Sequence, residues 1–495
     1  MSTTRRDFVT SALALATATL ADGRTAVGED PSAAPRTSGP ADTLRVAVIG
    51  VNGQGGAHID NWLDTPGCEL VAICDCDPAA SGKHIDRLAK RSPKPQRPEA
   101  VTDVRRLLER KDIDAVSIAT PNHWHALMAI WAMQAGKDVY VEKPCSHTVE
   151  EGRVIVDWAR RLGRMCQMGV QSRSMTGMRQ TLDFLASGKI GPIRVARAIC
   201  YRRRPSIGLV ETPAPLPPGL DFDLWAGPAP AVVPVRQRLH YDWHWDRRTG
   251  NGDIGNQNPH ELDKARWALG KQEFPRRVVS LGGRLGYVDN GDVANSQVTI
   301  YQWDDALLIS DVRGLEIKTP VTYGLAGGPF TGACNVWYGT TGYAVGPTYS
   351  SGIAFDYDGH ELGRWSGGRY QAHFANFVTA VRSRNHADLH LDIEDGHLSS
   401  ALAHLGNVSW ALGEPIGPDA PLSLGPVEFP FAGHVSDTLT SFDRFLRDNA
   451  VDRIATRLSR GRELVIDPAT ERATDPAANA LFGKEYRKGY ELPRV

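Results

Sequence analysis

From Leu44 onward the apolar residues fall into short continuous runs, separated by longer stretches spaced for helices. LRVAVI (44–49), CELVAICD (68–75), AVSIATP (115–121) and DVYVEKP (138–144) are rich in β-branched residues and bounded by glycine, proline or acid. Such runs predict strands buried on both faces, the habit of a parallel sheet. Between them HIDNWLDT (58–65) and HWHALMAIWAMQAGK (123–137) carry a helical register. Strands alternating with amphipathic helices predict a doubly wound α/β domain over residues 44–168.

Beyond residue 168 the pattern changes. SQVTIYQW (296–303) and ALLISDVRG (306–314) alternate in the manner of an extended, half-buried sheet, in a second domain expected over residues 169–425. Residues 250–270 lead from glycines and amides into a helix, with Pro259 in its first turn. Residues 390–413 predict another helix, started by Asp395 and Gly396 and ended by Gly413. The glycine- and aromatic-rich stretch 320–370 predicts long loops around a site or a subunit contact, and 426–495 forms a C-terminal extension.

The first 43 residues follow neither pattern. Arg5 and Arg6 precede Phe8 and the small, apolar run SALALATATLA, too short for the roughly 20 residues that span a bilayer. Paired arginines before such a run resemble a bacterial twin-arginine signal, which carries folded proteins outward. Residues 1–26 are therefore expected to be an export signal read by the twin-arginine translocase, 27–43 a linker, and the destination periplasmic. No other segment is long and apolar enough for a span. Lys and Arg number 56 against 57 for Asp and Glu, without a basic block, which argues against nucleic acid as a partner. The seven cysteines form no CxxC pair and no zinc spacing, so no metal site is expected.

Chemistry enters at the first strand's end. Gly50, Gly53, Gly55 and Gly56 follow it at once, and a helix follows them. A strand, a tight glycine turn and a helix N-terminus bring unpaired backbone N–H groups to a pyrophosphate. Asn52 holds the place of the middle glycine in G-x-G-x-x-G, a place suited to a residue that tolerates left-handed backbone. Asp75 ends the second strand 25 residues after Gly50, where an acid takes the ribose hydroxyls. No arginine stands directly behind it for a 2′-phosphate, which favours NAD over NADP. Thr120, Pro121, Asn122, His123, Glu142, Lys143 and Pro144 fall at the carboxyl ends of strands, where such sheets gather their ligands.

With IATPNHWH and VYVEKP in order after the glycine turn, the chain resembles the glucose–fructose oxidoreductase and inositol dehydrogenase family, Gfo/Idh/MocA. The resemblance implies a Rossmann domain joined to a C-terminal α/β domain whose large, open, mostly antiparallel sheet walls the substrate site. It implies cofactor contacts at Gly50, Asn52, Gly53, Gly55, Asp75, Thr120, Asn122, His123, Glu142, Lys143 and Gln171. It makes Lys143 the lysine between nicotinamide and substrate hydroxyl, and His260 the acid/base at a helix start. Family members commonly carry an aspartate four residues before that histidine; here the position is Asn256. An amide exchanges hydrogen bonds with a hydroxyl but supplies no charge to an imidazolium. Asp253 and Asp263 are the nearby carboxylates able to compensate. The resemblance also implies a homo-oligomer.

Aromatic residues crowd the approach: Trp225 in DFDLWAGP (221–228), and Tyr241, Trp243, His244 and Trp245 in YDWHWDRR (241–248). Rings of this kind stack on sugar faces, so Trp225, Tyr241, Trp243 and Trp245 are expected at the substrate with Asn256 and His260; W-H-W alternation also describes an ordinary strand. RRRP (202–205) either meets an acidic substituent or forms a solvated loop. Three functions remain open on these residues. One is an NAD(P)-dependent oxidoreductase acting on a sugar, polyol or glycan unit with retained cofactor. A second is a redox-neutral glycosidase or lyase, and a third a non-catalytic binding protein.

Overall fold

The computed structural model describes residues 43–91, 96–427 and 431–495. The expected signal and nearly all of the linker lie outside the described residues. Six strands form the first sheet: β1 (Leu44–Ile49), β2 (Cys68–Cys74), β3 (Glu99–Val101), β4 (Ala115–Ile118), β5 (Asp138–Glu142) and β6 (Cys166–Gly169). Their order is β3-β2-β1-β4-β5-β6, and every pair is parallel. The order reverses between β1 and β4, and that switch point opens a crevice at the strands' carboxyl ends. All four residues of β4 and all five of β5 are buried, as central strands covered on both faces require.

The second sheet is mixed and mostly antiparallel. Its body is β7 (Val195–Tyr201), β8 (Arg277–Gly283), β9 (Ser296–Gln302), β10 (Leu307–Arg313), β11 (Gly332–Tyr338), β12 (Gly342–Gly346), β13 (Ser351–Asp356) and β14 (Glu361–Ser366). They run β14-β13-β12-β11-β7-β10-β9-β8, with β7 and β10 alone parallel among these neighbours. The last four strands lie in the stretch expected to be loops. Glycine hid their alternation: at Gly346 a side chain would collide with the ring of Trp337, so the absence of a Cβ is what lets the strands pack.

Helices Pro259–Leu269 and Ile393–Ala411 fill the sheet's inner face, and the second also packs on helix Val149–Leu162 of the first domain. That second helix begins earlier than expected because the Asp392 carboxylate accepts from Glu394 N–H at 3.0 Å and caps it. The outer face is covered in part by helix Ala432–Asp448, whose Val435, Phe442, Phe445 and Leu446 join residues of β7–β10 in one apolar cluster. Beneath it Arg197 is fully buried, donating to Tyr338 Oη at 2.9 Å with its guanidinium 3.8 Å from the Tyr323 ring centre. The extension adds Ser459–Arg460 and Leu464–Asp467 to the edge at β8.

Two later segments complete the first domain. Phe374 and Phe377 of helix Gln371–Ser383 pack against Trp62 and Tyr140, with Phe374 stacked on Tyr140 at 4.6 Å. From the tail, Tyr490 meets Trp124 edge-on at 5.5 Å, and Lys484 pairs with Glu151 at 2.6 Å.

Candidate active site

Each functional side chain reaches the crevice because of a strand end or helix start behind it. After β1 the chain turns at Gly50 (φ +80°), where a Cβ would press within 2.8 Å of Thr120. A Cβ on Gly55 would lie 1.9 Å from the Gly50 carbonyl oxygen, so helix Gln54–Leu63 can begin this close only with glycine there. At Gly53 a Cβ would meet no atom within 4 Å: the turn is open on the side where a pyrophosphate would lie. Asn52 does not take a left-handed conformation; its side-chain and backbone oxygens both accept from Lys83 Nζ at 3.2 Å. Asp75 stands at the end of β2, its carboxylate accepting from Val51 N–H at 2.8 Å and Asp77 N–H at 3.0 Å. Burial raises the Asp75 pKa, and those two backbone donors restrain the rise. A glycine cradle, an open helix start and a half-buried acid at the second strand's end fit a dinucleotide.

Gly50, Asn52, Gly53 and Asp75 line one end of a cavity of about 660 Å³. At the other end Lys143, Asn256 and His260 meet. Lys143 follows β5 and donates to the backbone carbonyl of Asn256, with the side-chain amide oxygen of Asn256 at 3.4 Å. Glu142, its neighbour, does not neutralise it by a side-chain contact. The Glu142 carboxylate instead meets His58 Nε2 at 3.0 Å and accepts from Gln171 Nε2 at 3.4 Å. Burial opposes that carboxylate's charge, but the His58 contact and the nearby cations hold its pKa at about 2. Desolvation lowers the Lys143 pKa from the usual lysine value, with Glu142 opposing the shift.

His260 is the second residue of helix Pro259–Leu269, placed by the proline ahead of it. Its ring lies 4.8 Å from that of Tyr349, and its Nδ1 finds no hydrogen-bond partner among the described residues. Burial, then the charge of Lys143, push its pKa well below 6.5, so the ring is neutral at neutral pH. Asn256 stands 3.5 Å from an Asp253 oxygen, but Asp253 is held by Arg204 through two hydrogen bonds of 2.7 and 2.8 Å. Asp263 is likewise committed to Arg173, at 2.8 and 2.9 Å. Neither carboxylate is free to replace the missing aspartate.

Trp225, Tyr241 and Trp243 line the cavity with Thr120, Asn122 and Glu142. Trp245 does not: it packs with Ile207 and Val293 under the Arg284 guanidinium, 4.3 Å above its ring. The cause is that Asp242–Trp245 forms a turn of 3-10 helix, so alternate side chains do not share a face. His123 is also withdrawn, its nitrogens meeting the carbonyls of Thr249 at 3.4 Å and Trp225 at 3.1 Å; it docks the second domain on the first. Gln171 sits behind Glu142, and Gly55 behind Gly50.

Sequence reasoning missed His240, Gln257, Tyr349 and Tyr370, all on the cavity wall. Gln257 Nε2 donates to Tyr349 Oη at 2.6 Å, fixing the ring that faces His260. His240 belongs to a segment, residues 220–245, that lies over the nucleotide end. Asp221 N–H donates to the Cys76 carbonyl at 3.1 Å, and His240 Nε2 meets Asp77 Oδ2 at 2.9 Å. Only Gln257 had a local signal, its place one turn ahead of the helix that carries His260.

Residues 44–170 match the model of an oxidoreductase family with an NAD-binding Rossmann fold, GFO_IDH_MocA. Residues 44–170 are thus similar to the NAD-binding domain of the Gfo/Idh/MocA oxidoreductases. Among curated relatives it is 40% identical over 149 residues to a glycosyl hydrolase family 109 protein of Shewanella pealeana, covering 29% of this chain and 33% of that protein. It is 36% identical over 168 residues to an alpha-N-acetylgalactosaminidase of Shewanella oneidensis, covering 32% of this chain and 36% of that one. The matches thus span about a third of these relatives' lengths. Likeness of fold extends further along the chain. The WlbA dehydrogenase of Bordetella pertussis, solved with NADH and UDP-GlcNAcA, superposes with TM-score 0.53 at 18% identity, over 73% of this chain and 94% of that one. An aldose–aldose oxidoreductase of Caulobacter crescentus, complexed with glycerol, gives 0.53 at 16% identity, over 72% and 94%. The two-domain fold is therefore shared, and the family's cofactor is NAD.

Proposed function

We propose that this protein is an exported NAD-dependent oxidoreductase that oxidises a carbinol carbon of a sugar, polyol or glycan unit and keeps its cofactor between turnovers. The observation that carries the reading is the meeting of Lys143 and His260 in one cavity whose far end is the glycine turn and Asp75. Gly50, Gly53, Asp75, Thr120 and Asn122 would hold the dinucleotide, which supplies a hydride acceptor when bound. Lys143 donates a hydrogen bond to the carbinol oxygen and stabilises its developing negative charge. His260, neutral and with Nδ1 unpartnered, takes the hydroxyl proton. Asn256 exchanges hydrogen bonds with an adjacent hydroxyl, and Trp225, Tyr241 and Trp243 offer apolar faces to the ring.

Retention is supported by the segment over the nucleotide end. Release requires parting Asp221 from Cys76 and His240 from Asp77, contacts made across the crevice. A protein exported through a twin-arginine signal would need such a closure, since no nicotinamide pool is maintained outside the cytoplasm. The test is to dialyse the purified protein, denature it and chromatograph the supernatant. Stoichiometric dinucleotide is expected. An empty protein that works only with NAD supplied rejects retention, and a protein that binds no dinucleotide rejects the whole reading.

A redox-neutral glycosidase on the same residues is the second reading, favoured by the names of the curated relatives. There the hydride removed from the sugar returns after a substituent has left. Substrate turnover with aglycone release and no net NADH selects it over the oxidoreductase.

A further inference from the structure

Two cations face the substrate end of the cavity, and only one has a role so far. Arg202 lines that end together with His260 and Tyr349. It follows β7 directly, and its backbone N–H is fixed to the Arg313 carbonyl at 3.0 Å, so its position is set by the sheet rather than by a free loop. Two residues on, Arg204 is neutralised by Asp253 through a paired contact. Arg202 has no such counterpart: among the described residues its guanidinium makes no hydrogen bond and no ion pair.

The carboxylates nearby are already engaged. Glu142 is held by His58 and Gln171. Glu261, whose charge is felt with that of Arg202 at Tyr349, is buried off the cavity wall, 3.7 Å from Lys264. Asp75 stands at the nucleotide end. The charge of Glu142 compensates that of Lys143 in part, and Arg202, exposed on the cavity wall, is left as the cation without a counter-charge at the substrate end. A neutral sugar seated there would strip water from Arg202 without offering a counter-charge, at a cost. An anionic group would instead receive the guanidinium's planar fork of donors.

We propose that the ring bound by this site bears an anionic substituent (carboxylate, sulfate or phosphate) and that Arg202 is the residue that selects it. This rests on the sugar-directed reading above and narrows its substrate class. Arg202 acts on affinity and orientation; the proton and hydride transfers belong to Lys143, His260 and the cofactor.

The test uses the full chain saturated with NAD and a panel of methyl glycosides: glucoside, galactoside, mannoside and N-acetylgalactosaminide. Each is compared with its uronate, 6-sulfate and 6-phosphate, and binding is followed by calorimetry at two salt concentrations. At least one anionic form should bind about tenfold or more tighter than its neutral parent, the scale of a charge-assisted hydrogen bond, with the preference shrinking in high salt. Arg202→Gln should abolish that preference, and Arg202→Lys should keep part of it. The three anion arms tell which group is preferred. Neutral glycosides binding as tightly as all their anionic counterparts, or a preference that survives Arg202→Gln, overturns the assignment and leaves the sugar reading standing. If no glycoside of either kind binds, the sugar reading falls and takes this assignment with it.

Discussion

The ammonium of Lys143 donates to the backbone carbonyl of Asn256, and the Asn256 side-chain oxygen lies 3.4 Å away. Where family members commonly place an aspartate, this chain sets a neutral amide against its lysine. Burial lowers the Lys143 pKa from 10.5, and an amide does little to oppose that. Lys143 must be protonated to stabilise the carbinol oxygen, so activity is lost as pH rises through its pKa, and the alkaline limb should fall below 10.5. Asn256→Asp adds an anion beside Nζ and should move that limb to higher pH. An unmoved limb in the pH–rate profile would disconnect Asn256 from Lys143.

Removing either proton-handling group should be costly. Lys143→Ala and His260→Ala are each expected to lower turnover at least about 100-fold, the lower range for general acid–base groups. Dinucleotide binding should stay nearly intact, because the glycine turn and Asp75 lie at the other end of the cavity. Single-turnover kinetics beside a dinucleotide titration separates the two effects. Wild-type turnover in both variants removes these residues from the mechanism.

The acid limb is set by His260. A base must be neutral to act, so activity is lost as pH falls through its pKa. Burial and the Lys143 charge place that value well below 6.5. Turnover should therefore persist through pH 6.5 and fail only in more acid solution. Stability should follow the same sign: below 6.5 the unfolded chain takes up a proton that the fold refuses, so unfolding becomes easier as pH drops. A kinetic limb at or above 6.5 contradicts this placement.

Closure over the nucleotide end can be weakened at one contact. His240 Nε2 meets Asp77 Oδ2 at 2.9 Å, and the imidazole remains partly solvent-accessible. His240→Ala should speed dinucleotide release several-fold while leaving the chemical step near its wild-type rate. Stopped-flow displacement of NADH fluorescence reads the release rate directly. Equal rates in both proteins would assign retention to other contacts.

Phe374 tests how far the first domain depends on the second. Its ring stacks on Tyr140 at 4.6 Å and meets Trp62 at 4.9 Å, fully buried. Phe374→Ala should cost about 3–5 kcal/mol, the usual range for a buried phenylalanine. Denaturant unfolding should show the loss in the transition that also releases dinucleotide.

In the parallel sheet β1, β2, β4 and β5 were legible because they are largely buried and read as mostly apolar runs, whereas β3, three residues long and largely exposed, and β6, with Gln167 at its centre, gave no such run. Lys143 and Asp75 were legible for a related reason: strand ends in such sheets are ligand positions whatever the loops do. β11–β14 were not, since their inward positions include Asn335 and their close packing depends on glycine, which reads as turn. Tyr349 was lost with them. His240 carries no local signal at all: a lone histidine in a loop acquires meaning only when tertiary structure brings it to the wall. Arg202 was visible in RRRP, but the sequence left both an acidic partner and a solvated loop open to it. Trp245 failed in the other direction, because one turn of 3-10 helix was enough to point it away from its neighbours.

The span that comparison recognises, residues 44–170, is not the span that could be moved as a unit. Helix Gln371–Ser383 closes the core on one flank, and on the other Tyr490 and Leu492 pack into the cluster that holds Trp124. Lys484 reaches the backbone of His123 from 361 residues downstream. A recombination event cutting at residue 170 would thus strip both flanks and leave large aromatic faces wet. Grafting this nucleotide domain onto a new substrate domain requires three separate pieces of the chain to travel together.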